Sequence, residues 1–294
     1  MEGALAAIRF LHFAAVFILF GSIAFRTLIA AGEVRTLVAP RLARWERAAI
    51  WIAAASAVAW LLLAVAEAGD GLAHAADPAL LGMFLTGTHF GHVWILRLAL
   101  LALLVAVSLG ARKVSDSLML GLAGVLVAEL GWIGHPAKFD GLAGFLHCTN
   151  YAVHATAAAL WVGSLPPLAL ALKLARSDNL RADLAATVAR FSRTGYVAVS
   201  LVLLTGVIGT WVMFGTWPSW QASPYQFWLA LKLALVSLML AFAATNRFVF
   251  TPMLVSRPNT ARRGLLALAT GEVVLGYAVL ALVAYFGMLA PMGE

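Results

Sequence analysis

Eight apolar stretches, each long enough to cross a lipid bilayer, make up most of this chain. A spanning helix needs about 20 mostly apolar residues. The stretches run near 5–31, 48–66, 91–110, 118–134, 142–172, 196–214, 226–248 and 265–290. Inside a bilayer the backbone must satisfy its own hydrogen bonds, so stretches of this length are helices. The expected fold is all-α: a polytopic membrane helix bundle with eight transmembrane helices, forming one integral membrane domain over 1–294. Composition agrees with this. Hydrophobic residues are 63% of the chain and charged residues only 11%, whereas a soluble domain carries about a quarter charged residues. A soluble globular enzyme is excluded, and so is a disordered chain, which needs low hydrophobicity.

The connections between stretches alternate in charge. The first carries Arg35, Arg41, Arg44 and Arg47, the third Arg112 and Lys113, the fifth Lys173, Arg176, Arg181, Arg190 and Arg193, and the seventh Arg247, Arg257, Arg262 and Arg263. The even-numbered connections carry Lys138 beside Glu67, Asp70, Asp77 and Asp140. Basic loops stay in the cytoplasm, so both termini are expected on the periplasmic side of a bacterial inner membrane. The net charge of +7 serves orientation in the lipid bilayer, and no nucleic acid partner is expected. The start, Met1-Glu2-Gly3, lacks a basic segment, so the first apolar run is expected to stay as a helix. A single cysteine, Cys148, excludes an internal disulfide.

Two halves of the chain look alike. His12 is followed nine residues later by Gly21-Ser22, and His154 nine residues later by Gly163-Ser164. Leu96-Arg97-Leu98-Ala99-Leu100 matches Leu231-Lys232-Leu233-Ala234-Leu235 in the same way. The expectation is a 4+4 parallel repeat, with a four-helix half over 1–137 and a second over 138–294. His12 and His154 would then meet at the interface, where proteins built from repeats usually place their site.

With the expected topology, all seven histidines fall on the outer side. In the fifth stretch His147, Asn150, Tyr151 and His154 follow i, i+3, i+4, i+7 spacing and share one helix face. A polar stripe at this depth faces the bundle or a wet cavity. Imidazole, thiolate and thioether together suit copper. The candidate metal ligands are therefore His12, His154, His147, His92, His135, Cys148 and Met288, with Met83, Met213 and Met292 on the same side. The plainer alternatives stay open. A methionine can simply pack, Cys148 can fill space, and a buried histidine can hydrogen-bond across helices. His74 and His89 read as solvated loop histidines. Three buried charges need partners: Glu129, Lys232 and Glu272, with Arg97 available for the acids. They could form a proton or metal relay, or structural ion pairs. The chain has no nucleotide loop, CxxC, HExxH or Ser-His-Asp constellation.

Val153-His154 through Leu160-Trp161-Val162-Gly163, Gly91-His92-Val93-Trp94 with Arg97, Arg190-Phe191-Ser192, Leu204-Thr205-Gly206, Asn246-Arg247 and Glu272 resemble motifs of the copper resistance protein D family (CopD/PcoD). His92 departs from the pattern, since arginine commonly stands there. The resemblance covers nearly the whole chain. It implies an inner-membrane protein, not an enzyme, that moves copper ions from periplasm to cytoplasm, often beside a periplasmic copper carrier protein. A second reading is a haem-binding redox protein. His12 and His154 would be its axial ligands and Arg97 or Arg9 a propionate partner, similar to haem-containing membrane proteins of the protoporphyrinogen oxidase HemJ type.

Overall fold

The structure, a computed structural model, describes residues 2–69, 71–110, 114–133, 141–214 and 223–290. It is all-helical among those residues. Helix α1 spans Glu2–Ala24 and runs on through a π turn, Phe25–Ile29. Then come α2 (Gly32–Ala68), α3 (Pro78–Gly87), α4 (His89–Leu109), α5 (Asp116–Ala128) and α6 (Gly141–Leu174). The chain continues with α7 (Arg181–Phe214), α8 (Pro224–Thr245), a π turn at Asn246–Phe250, α9 (Thr251–Ser256) and α10 (Pro258–Phe286).

Seven of these are long and apolar enough to cross a membrane, against the eight expected. The difference lies at the fourth stretch. There α5 is α-helical for 13 residues and then tightens into a 3-10 turn over Glu129–Trp132, and residues 134–140 lie outside the described part. Sequence reading also missed α3, although its start is well marked. Asp77 accepts from the backbone N–H groups of Ala79 and Leu80, and Pro78 follows at the first helical position. Helix α2 begins at Gly32 rather than near 48, because the Arg-rich connection stays helical.

Helices α1 and α6 form the central pair. Their crossing point is Gly21 against Gly163, within the Gly-Ser matches read from the sequence. A Cβ on Gly21 would overlap the Gly163 backbone, and one on Gly163 would overlap the Phe17 carbonyl. Close approach of small residues drives helix association where lipid removes the hydrophobic difference. Ser164 Oγ donates to the Gly21 carbonyl at 3.3 Å across the same crossing. Around this pair α2, α4, α5, α7 and α10 build the core.

The two ends of the bundle differ. Glu2, Tyr285, Met288 and Leu289 line one vestibule, so both described chain ends lie at the same end, called here the terminal end. The opposite, basic end is tied by charge. Arg26 Nε bonds Glu46 Oε1 at 2.8 Å, and its guanidinium also reaches Asp116. Asp183 of α7 accepts from the backbone N–H of Glu33 at 2.8 Å and occupies the space a Cβ on Gly32 would need. Gly32 has φ of +45°, so this joint demands glycine twice over.

Candidate functional site

His12 lies in α1 with its side chain wholly buried. Its Nδ1 is 3.1 Å from Ser56 Oγ and 3.2 Å from the Ala53 carbonyl, both on α2. The Ser56 hydroxyl proton is committed to a carbonyl of its own helix, Ile52 O at 2.6 Å. Both neighbours of Nδ1 are therefore acceptors, which fixes the proton on Nδ1 and leaves the lone pair on Nε2. His154 repeats this chemistry on the other half. Its Nδ1 is 2.9 Å from Thr205 Oγ1 of α7, and the Thr205 hydroxyl donates to the Leu201 carbonyl. Again Nε2 keeps its lone pair, the state in which imidazole ligates metals.

The surroundings of the two rings differ. Trp60 packs edge-on against His12 at 5.8 Å, and Trp94 packs edge-on against Trp60 at 5.4 Å. The guanidinium of Arg97 sits over both indoles, 4.9 Å from one centroid and 4.3 Å from the other. Glu129 receives Arg97 in a bidentate pair at 2.7 and 2.8 Å. Arg97 is 0% exposed and Glu129 3%, so this pair is dry and fork-to-fork.

His154 instead lines a cavity of about 190 Å³. Asn150 and Tyr151, one and two positions of the sequence-read stripe, line it too, and the Asn150 amide donates to the Thr205 carbonyl at 3.0 Å. Met213 brings a thioether to the same space, and Lys232 brings an ammonium group. The cavity adjoins the vestibule at the terminal end, about 550 Å³, through two shared wall residues, Arg9 and Ile133.

The remaining expected ligands are dispersed. Met288 lines the vestibule with His89, Glu2 and Glu67. His92 is exposed in the first turn of α4. His147 is buried with its ring edge-on to Tyr151 at 4.9 Å. Cys148 is a buried free thiol at the point where Gly131 packs against the α6 backbone. His135 and Met292 lie outside the described residues. Among the described residues no three side chains of the His, Cys, Asp and Glu types form a metal cage. The expected meeting of His12 with His154 is not what the structure shows. The Gly21–Gly163 crossing joins α1 to α6, while each imidazole turns into its own helix pair, α1 with α2 and α6 with α7.

Glu272 of α10 is 1% exposed and takes Asn246 rather than Lys232, with Asn246 Nδ2 donating to Oε1 at 2.8 Å. It lines a separate cavity of about 210 Å³ with Trp161, Tyr196 and Arg247, toward the basic end. Sequence reading missed Ser56 and Thr205 as the groups that orient the histidines. Thr205 stood in a quoted motif, but a hydroxyl in an apolar helix carries no sign of its partner.

Two family models match the chain. "Copper resistance protein D-like, N-terminal domain" matches residues 1–145, and "Copper resistance protein D" matches residues 185–286. Among curated relatives, the Copper resistance protein D of Pseudomonas syringae pv. tomato is 34% identical over 226 residues, 72% of each chain. The inner membrane protein YebZ of Escherichia coli (strain K12) is 28% identical over 286 residues, 97% of each chain. No solved structure matches. With the helices, the paired motifs and these matches in agreement, the chain belongs to the copper resistance protein D family.

Proposed function

We propose that this chain carries copper across the bacterial inner membrane, from the periplasm inward. The vestibule at the terminal end receives the ion and the His154 cavity is its first buried stop. The family supports a copper-related role, and the alternating loop charges support periplasmic termini. Met288 and His89 stand at the vestibule, and beyond Arg9 and Ile133 the ion meets His154 and Met213. One observation carries the reading. An imidazole held by Thr205 with a free Nε2 lone pair shares a cavity with a thioether, the ligand pair that suits Cu(I). A periplasmic copper carrier would dock at the vestibule.

Haem fits these residues poorly. The two expected axial histidines engage different helix pairs. The His154 cavity, about 190 Å³, is below the range of about 300–1,000 Å³ typical of small-molecule pockets.

The test is copper accumulation in vesicles holding the intact chain, the His154→Ala variant or no chain. The wild-type chain should load copper, and the variant should fall to near the empty-vesicle level. Equal accumulation in all three would reject transport.

A further inference from the structure

The His154 cavity has an electrostatic feature that copper binding alone leaves unexplained. Among the described residues its wall carries two cations, Arg9 and Lys232, and no Asp or Glu. Among the described residues neither cation has a salt bridge or a hydrogen-bond acceptor. Arg9 is held only over the faces of Trp60 and Phe13, at 5.1 and 5.8 Å, and its Nε is buried without a partner. The contrast is Arg97, on the matching segment of the first half, whose charge is paired with the carboxylate of Glu129. The buried acid of the second half is turned away. Glu272 bonds Asn246, at the start of the π turn after α8 and fourteen residues beyond Lys232, about 21 Å of helix.

Unneutralised charge in a low-dielectric bundle is costly and marks a counter-ion or a ligand. A neutral donor adds to the wall here: the Asn150 amide has a second N–H beyond the one given to the Thr205 carbonyl, and Gly206 and Gly209 leave space beside it. We propose that this cavity binds a small monovalent anion, which enters from the terminal end and is held between Lys232 and Arg9. The site goes beyond the copper reading and exists without the metal. Where copper does bind at His154, the anion supplies the negative charge that lets a cation rest beside Lys232.

The experiment uses the purified full chain, free of copper, in detergent. Chloride is compared at constant ionic strength with gluconate, a far larger and weakly coordinating anion. Binding is read by equilibrium dialysis with radioactive chloride and by the melting temperature. A ligand that binds only the folded state raises that temperature with its concentration. The wild-type chain should bind a single chloride saturably and melt higher in chloride. Lys232→Arg should keep both effects. Lys232→Gln should weaken chloride binding by more than about tenfold and lose the chloride-dependent rise, while melting in gluconate no lower than wild type. That last reading shows the variant is folded.

No saturable chloride binding to the wild-type chain would overturn the proposal, as would binding unchanged in Lys232→Gln. Copper uptake is scored separately. A chain that binds chloride but moves no copper refutes the transport reading alone, and a chain that moves copper but binds no chloride refutes the anion site alone.

Discussion

Beside His12, Trp60 and an Arg97 paired with Glu129 fill the space; beside His154 there is a cavity, with Lys232 facing it and no acid among the described residues of its wall. The two rings themselves are prepared identically, each with Nδ1 against a hydroxyl whose proton goes to its own helix carbonyl. The difference separates two uses of one frame. The first is closed, so its polar groups hold helices together. The second is open, so the same groups remain available to something that enters.

The largest expected effect breaks the closed side. Glu129→Ala strands Arg97 in a dry site and should cost about 3–5 kcal/mol of stability, read by denaturation in detergent. Replacing both partners together, Glu129→Leu with Arg97→Met, should recover most of that loss, because the penalty comes from the uncompensated charge. If the double variant is as unstable as the single, the ion pair is not what closes this half.

Next in size is the contrast between the two imidazoles. His154→Ala should weaken copper binding by about 100-fold, roughly 2.7 kcal/mol, whereas His12→Ala should leave copper affinity unchanged and lower stability instead. Equilibrium titration with a competing Cu(I) chelator separates the outcomes. Equal losses in both variants would mean that the halves act alike and that the filled space beside His12 opens in solution.

The comparison also shows what could be read without coordinates. The membrane fixes the length of each apolar run, so the fifth stretch, placed at 142–172, appears as Gly141–Leu174. Charge alternation and the buried ionisable residues were equally visible, since each stands out against an apolar background. Rotation about each helix axis was not. Apart from the polar stripe of α6, these helices are apolar over most of their circumference, so little marks the side that faces a neighbour. That side is decided by a steric event, Gly21 seated on Gly163, whose effect on a ring nine residues away depends on the crossing geometry. Hence His12 and His154 were recognised as a pair but expected to face each other, and Ser56 and Thr205 were not seen as their anchors.

The glycine contact itself gives the third prediction. Gly163→Ala places a methyl group on the Phe17 carbonyl, at a point where both sides are backbone and cannot rotate away. Overpacking of this kind costs about 1–3 kcal/mol, and it should lower the melting temperature of both halves together, because α1 and α6 run through the main core cluster. Gly195→Ala, on α7 with open space around it, should be nearly silent in the same assay.

The smallest effect tests the frame rather than its ligands. Thr205→Val keeps the shape of the side chain and removes the acceptor that holds His154 Nδ1 at 2.9 Å. The ring is then free to turn and to exchange tautomers, and a lost orienting partner typically lowers metal affinity by about 10- to 100-fold. The lower end is expected here, because the cavity wall still confines the ring, and Thr205→Ser should restore wild-type affinity. On the closed side Ser56→Ala removes the matching acceptor from His12, and copper affinity should not move. If Ser56→Ala weakens copper binding as much as Thr205→Val does, the His12 site takes part in copper binding and the division between a closed half and an open half fails.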